Sequence, residues 1–163
     1  MPVEPYGSDP LLVRAHAAKI APLLAGRNPE STDLVLTAHS LPVRAIESGD
    51  PYQTQFEASV RRIEGELGWP ARIAYQSQGE GGGEWLGPTL DGVLEAAKTS
   101  GKRDVVVAPV GFLADHVETL YDLDVEALAV ASRLGLGFSR APALGDDPLL
   151  ADALAGVVRR AFG

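Results

Sequence analysis

Three Asp-Pro pairs, Asp9-Pro10, Asp50-Pro51 and Asp147-Pro148, each stand directly before an amphipathic stretch and set the rhythm of this chain. An aspartate carboxylate accepts hydrogen bonds from the amides left unpaired at a helix start. Proline at the first helical position gives up only an N–H that has no partner there. Helices are therefore predicted over about 10–25, 51–67 and 148–161, with a fourth from about Pro88-Thr89 to Thr99 and a fifth from about His116 to Leu134, before Gly135. Between them lie short runs of strand type. Leu34-Val35-Leu36-Thr37-Ala38, Arg72-Ile73-Ala74-Tyr75-Gln76 and Val105-Val106-Val107-Ala108 read as strands, and Gly137-Phe138-Ser139-Arg140 as a weaker fourth. The first and third runs are apolar at successive positions, as strands covered by helices on both faces must be. Strand and helix thus alternate as α-β-α-β-α-β-α-β-α. That alternation predicts an α/β fold: one three-layer α-β-α domain over residues 1–163, with a flavodoxin-like four-stranded parallel sheet.

Composition narrows the function classes. The chain has 163 residues, enough for one ordinary domain, and 14 Lys plus Arg against 22 Asp plus Glu leave a net charge of −8. An acidic chain without a basic cluster is not a nucleic-acid binder. There is no cysteine, which excludes disulfides, thiolate nucleophiles and a cysteine-ligated iron–sulfur cluster. No apolar run reaches the roughly 20 residues of a membrane span, and Met1-Pro2-Val3-Glu4-Pro5 carries no targeting pattern, so a cytoplasmic protein with no integral membrane segment is expected.

Ligands of parallel sheets bind beyond the carboxyl ends of the strands, at the point where strand order reverses. In a 2-1-3-4 order the first and third strands straddle that point. His39-Ser40-Leu41-Pro42 follows the first strand, and Pro109 to Glu118 follows the third, so His39, His116 and Glu118 are expected to face one cleft. Ser77 and a long loop from Gln78 to Gly87, holding Trp85, follow the second. His16 lies on the first helix, away from every strand end, and reads as a surface residue. Ser40 adjoins His39 without the flanking glycines of a nucleophile elbow, which argues against a hydrolase triad. The only low-complexity patch, Gly79 to Glu84, does not satisfy G-x-G-x-x-G and follows the wrong strand for a dinucleotide site.

The fifth helix carries two patterns. Leu120, Leu123, Ala127, Val130 and Leu134 recur at spacings of three and four, as one stripe facing the core. Glu118, Asp122 and Glu126 recur every four residues, a row about 12 Å long at the α-helical rise. Carboxylates four apart repel and suit a solvated helix face. The same row, beginning beside His116 at the cleft, would also suit a path for protons or a hydrated divalent cation, which oxygen ligands hold loosely enough to pass on.

These residues carry a resemblance. Thr37-Ala38-His39-Ser40-Leu41-Pro42, Gly49-Asp50-Pro51-Tyr52, Tyr75-Gln76-Ser77, Trp85-Leu86-Gly87-Pro88 and the run Pro109-Val110-Gly111-Phe112-Leu113-Ala114-Asp115-His116-Val117-Glu118-Thr119-Leu120-Tyr121-Asp122-Leu123-Asp124 resemble the C-terminal half of ferrochelatase, in family order and spacing. The resemblance runs from the Asp9-Pro10 helix to Arg160. It implies a class II chelatase-like domain that inserts Fe2+, the substrate metal, into protoporphyrin IX or coproporphyrin III in haem synthesis. It further implies that His39 and Glu118 are catalytic, and that His39, Glu118, His116, Asp122 and Glu126 handle the metal, on a helix distorted toward π geometry. Ser40, Tyr52 and Trp85 would contact the porphyrin.

His39 would take pyrrole protons as general base while Fe2+ arrives from the Glu118 side, although the sequence leaves open which side serves metal and which protons. Imidazole and carboxylate select iron weakly, so Zn2+ or Co2+ should substitute. The family chain is about twice as long, so an N-terminal chelatase domain or a second copy is expected to complete the pocket. The family's iron–sulfur and membrane-helix tails are not expected after Gly163. The alternatives are a homodimeric small chelatase for another tetrapyrrole, against which the Asp115 to Tyr121 block argues, and a non-catalytic tetrapyrrole- or metal-binding fragment.

Overall fold

The Asp-Pro signals work through the capping bonds their chemistry predicts. In this computed structural model, which describes residues 5–79 and 83–163, Asp9 accepts from the Leu11 amide, Asp50 from the Tyr52 amide and Asp147 from the Leu149 amide, each at 2.9 Å. The elements in chain order are α1 (Pro10–Leu24), β1 (Thr32–His39), α2 (Val43–Glu47), α3 (Tyr52–Leu67), β2 (Ala71–Gln76), α4 (Leu90–Thr99) and β3 (Asp104–Ala108). Beyond β3 come α5 (Val117–Leu120), a π-helical segment (Tyr121–Ala127), α6 (Leu128–Leu134), β4 (Gly137–Arg140) and α7 (Pro148–Phe162). Residues 1–4, and 80–82 of the glycine-rich patch, lie outside the described residues.

The four strands form one parallel sheet in the order β2-β1-β3-β4, the expected arrangement. β1 is buried along Thr32–Ala38 and alternates between two cores. Leu34, Leu36 and Ala38 join Val106 and Tyr75 beneath α1 and α3, whereas Val35 joins Val105 and Val107 beneath α4 and α6. Side chains alternate across a strand, so His39, two residues beyond Thr37 and four beyond Val35, projects on the α4/α6 side. Among the described residues no helix is long and apolar enough to cross a membrane.

Three local expectations are corrected. A short helix, α2, follows Pro42, in a stretch where the sequence predicts no helix. The fifth helix has the π distortion that the resemblance implies, running as α5, the π segment and α6 in succession, and this breaks the single inward stripe expected of it. The i→i+5 turn rotates the side chains of α5 about the axis relative to those of α6. Leu123, Ala127 and Val130 therefore keep the inward stripe, while Leu120 is turned out and is 38% exposed. Finally, His16 is not a surface residue but 6% exposed. α1 is covered by α3 on one flank and, through Leu12 and Ala15, by Leu144, Leu150 and Ala153 near α7 on another, so its buried arc is wider than one stripe.

This packing has two measurable consequences. Burial lowers the His16 pKa from 6.5 to about 4, and Asp147 only partly opposes it. The folded state keeps this imidazole neutral where the unfolded chain protonates it, so stability falls as pH drops from about 6.5 to about 4, by about 3 kcal/mol across that window. His16→Leu is expected to flatten that limb when urea midpoints are plotted against pH; an unchanged limb would place the acid sensitivity elsewhere. The second concerns Gly111, whose amide donates to Thr37 C=O at 2.9 Å. A Cβ there would lie 2.5 Å from Ala38 Cβ and 2.7 Å from its Cα. Gly111→Ala must push the loop after β3 off the end of β1. Denaturant melts should show a loss of about 1–3 kcal/mol, and a loss near zero would mean that the loop can move freely.

Candidate active site

His39 ends β1 with its ring fixed by the adjoining backbone. Nδ1 lies 2.6 Å from the carbonyl oxygen of Ser40. A carbonyl only accepts, so Nδ1 holds the proton and donates, and the neutral ring carries its lone pair on Nε2. Nε2 faces Glu118 Oε1 at 3.8 Å, with the two side chains 40% and 52% exposed. That gap is too long for a hydrogen bond and leaves two electron-rich atoms facing each other. A third, positive body suits it. It can be a proton on Nε2, or a divalent cation at about 2.1 Å from both atoms in an open angle.

The rest of the expected set is arranged around this pair, not gathered on one point. Among the described residues no three His, Cys, Asp or Glu side chains form a ready metal cluster. Of the five residues expected to handle the metal, His39 and Glu118 face each other as an exposed pair, and a trail of oxygens leads away from them. His116 caps α5, with Nε2 2.9 Å from Thr119 Oγ1. Phe112 stands between the two imidazoles, 6.4 Å from the His39 ring and 5.6 Å from that of His116. Asp122, on the π segment, accepts from Gln76 Nε2 at 3.2 Å and from the Ser77 hydroxyl. Ser77, at φ +59°, has the left-handed backbone that turns the chain out of β2 toward this carboxylate. Asp122 and Glu126 then border a recess of about 330 Å3 with Gln76, Ser77, Gln78 and Asp91. The π turn keeps residues spaced by four or five on one face, so the row survives the change in helix geometry.

Two of the residues expected to contact substrate hold backbone with their hydroxyl groups. Ser40 is fully buried and its hydroxyl donates to Leu86 C=O at 2.8 Å, so it anchors the loop and orients His39 through its own carbonyl. Tyr52 donates its hydroxyl to His39 C=O at 2.9 Å, and burial pushes its pKa up. Its ring borders a cavity of about 510 Å3 on the α1/α3 side, with His16, Phe56 and Val110, behind β1 relative to the His39 ring. Trp85 forms a bridge with Pro42 and borders a recess of about 250 Å3 with Val43, Arg44 and Glu47.

Sequence reasoning missed Phe112, Gln76 and the Ser77–Asp122 bond. Their signal was present only as positions at the end of β2 and in the loops after β2 and β3, and the bonds of Gln76 and Ser77 to Asp122 join residues 45 or more apart.

Comparison with known proteins gives the family. A family model described as Ferrochelatase matches residues 2–162. The chain is similar to the ferrochelatase of Thermus thermophilus, 42% identical over 147 residues, covering 89% of this chain and 46% of the relative. It is similar also to the coproporphyrin III ferrochelatase of Geobacillus kaustophilus, 35% identical over 96% of this chain and 51% of the relative. In fold it is similar to SirB from Bacillus subtilis, with a TM-score of 0.71 at 14% identity over 97% of this chain and 56% of the other. The chain spans about half the length of the curated relatives it matches. On this match, over nearly its whole length, the chain belongs to the ferrochelatase family.

Proposed function

We propose that this chain, as one chelatase-like unit over residues 1–163, provides the catalytic wall of a ferrochelatase and inserts Fe2+ into a porphyrin in haem synthesis, in the cytoplasm. The observation that carries the reading is the Nε2 lone pair of His39, held toward Glu118 across 3.8 Å at an open cleft. Metal insertion releases two pyrrole protons for each divalent ion bound. Nε2 is placed to take the first as a general base, and Glu118 stabilises the imidazolium that forms. The trail from Glu118 through Asp122 to Glu126 serves the traffic of hydrated iron or protons between cleft and solvent. Two donors hold a divalent ion weakly, which suits delivery better than storage. Nothing in an imidazole–carboxylate pair singles out iron, so Zn2+ and Co2+ are expected to substitute in vitro.

A second α/β unit completes the pocket in this reading. A ligand site of this kind buries 70–90% of its ligand, and one wall cannot do so for a flat macrocycle. Val117, Tyr121, Val125 and Leu128 lie exposed along the helix that bears Glu118, with Val117 84% exposed. Such a stripe calls for a cover. The acidic row on the same helix disfavours a second copy, because two such rows would repel, and favours a different unit with a basic rim.

His39→Ala is expected to lower insertion at least 100-fold, followed by the porphyrin absorbance change, with an unchanged circular dichroism spectrum. Turnover at the native rate would refute the role of His39. Glu118→Gln should cost the most, Asp122→Asn less, and Glu126→Gln should mainly raise the metal concentration needed for half-maximal rate. Equal, native-like rates in all three would return the row to a solvated helix face. Titrated with porphyrin, this chain alone should bind weakly and gain affinity at least tenfold when a first α/β unit is joined ahead of it; full affinity as a monomer would overturn the two-wall pocket.

A further inference from the structure

Glu118 is half exposed, and among the described residues its one recorded side-chain partner is His39, across a gap too long to hold it. Its position therefore depends on how firmly its backbone is fixed. The segment around it is an unusual one to hold. A π turn gives up α-helical hydrogen bonding and persists where neighbouring groups enforce it. Ser77 and Gln76 tie it from β2 through Asp122. The other tie comes from the opposite edge of the sheet.

Arg140, the last residue of β4, is 16% exposed in its side chain and spends its guanidinium on two carboxylates. Nε donates to Asp124 Oδ1 at 2.7 Å and Nη2 to Asp124 Oδ2 at 3.2 Å, a forked pair with the π segment. Nη1 donates to Asp115 Oδ1 at 2.9 Å and to Ala141 C=O at 3.2 Å. Asp115 Oδ2 in turn accepts from the Ala143 amide at 3.4 Å. One planar group thus grips the chain three residues before Glu118 and six residues after it. Exposed single ion pairs contribute little, but a fork joining three segments through one half-buried guanidinium restricts all of them at once. A lysine could match the charge and not the fork.

We infer that Arg140 is a positioning residue for the His39–Glu118 pair, fixing the loop at Asp115 and the π segment at Asp124 to β4 so that Glu118 stays opposite Nε2. The role rests on the metal-insertion reading, but the restraint itself can be measured without it.

The experiment compares the unaltered chain with Arg140→Ala and Arg140→Lys by amide hydrogen exchange and by porphyrin metallation. Arg140→Ala should speed exchange at least tenfold across residues 117–127, with β1 and α1 unchanged. It should lower kcat about tenfold with little change in KM for porphyrin. Methylguanidinium at millimolar concentration should slow the exchange again and restore part of kcat. Arg140→Lys should behave like the alanine variant. Should Arg140→Ala fail to fold, Asp124→Asn removes one arm of the fork and should produce the same local exchange. Native exchange over 117–127, or a uniform loss of protection that methylguanidinium does not repair, would overturn the inference. If the unaltered chain, with its first unit supplied, metallates no porphyrin, the functional reading falls, and exchange with its methylguanidinium rescue still decides the clamp.

Discussion

The 2.6 Å hydrogen bond from His39 Nδ1 to its neighbour's carbonyl turns a strand end into a reactive group. It works because the backbone on either side cannot move. β1 is buried to Ala38 between β2 and β3, Tyr52 holds the His39 carbonyl, and the Ser40 hydroxyl holds the Leu86 carbonyl. With the backbone tied down on both sides of the ring, the imidazole has one tautomer and one direction for its lone pair. The opposite side of the cleft is less rigid by nature, being an exposed helix with a wide turn. Its position comes from side chains on both edges of the sheet, Ser77 with Gln76 at β2 and Arg140 at β4.

Much of this was legible in the chain because local rules set it. The Asp-Pro caps placed α1, α3 and α7 within one or two residues, and the doubly apolar runs placed β1 and β3 at the centre of the sheet. His39 could be found as a candidate because strand ends at an order reversal are where parallel sheets bind ligands. The features that escaped the sequence were consequences of contact between distant residues. His16 looked exposed on a helix pattern, yet α7 closes over the flank that carries it. Leu120 fitted the inward stripe on α-helical spacing, and the π turn moved it out. Ser40 and Tyr52 sit in the right motif, yet their hydroxyl groups are used to hold backbone. A motif shows which residues are near the chemistry; only packing shows which way they face.

The acidic row gains a physical sense from the same turn. On an α-helix, residues four apart drift steadily around the axis, so a row of three would begin to spiral away from the cleft. A π turn has more residues per turn and reverses that drift. Set between α5 and α6, it keeps Glu118, Asp122 and Glu126 along one side while Leu123, Ala127 and Val130 stay in the core. Like charges four apart would loosen an ordinary helix. Here Asp122 is partly neutralised by two donors and Asp124 by a guanidinium, which leaves Glu118 and Glu126 at the two ends facing solvent.

The exposure of the pair bears on what the cleft can do before and after it is covered. Unit charges about 4 Å apart attract by about 1 kcal/mol in bulk water and by about four times as much at an effective dielectric near 20. With His39 and Glu118 as open as they are, water screens most of what Glu118 could offer an imidazolium. On the proposed function, a macrocycle laid over the pair with a second wall behind it would remove that water while the geometry stays fixed by the strand end and the clamped helix. In the proposed reading the stabilisation appears as a proton leaves the pyrrole, the moment at which it lowers a barrier instead of merely tightening binding. On that reading, a wall built in advance and left exposed until substrate covers it asks little of motion within this chain and much of whatever closes over it.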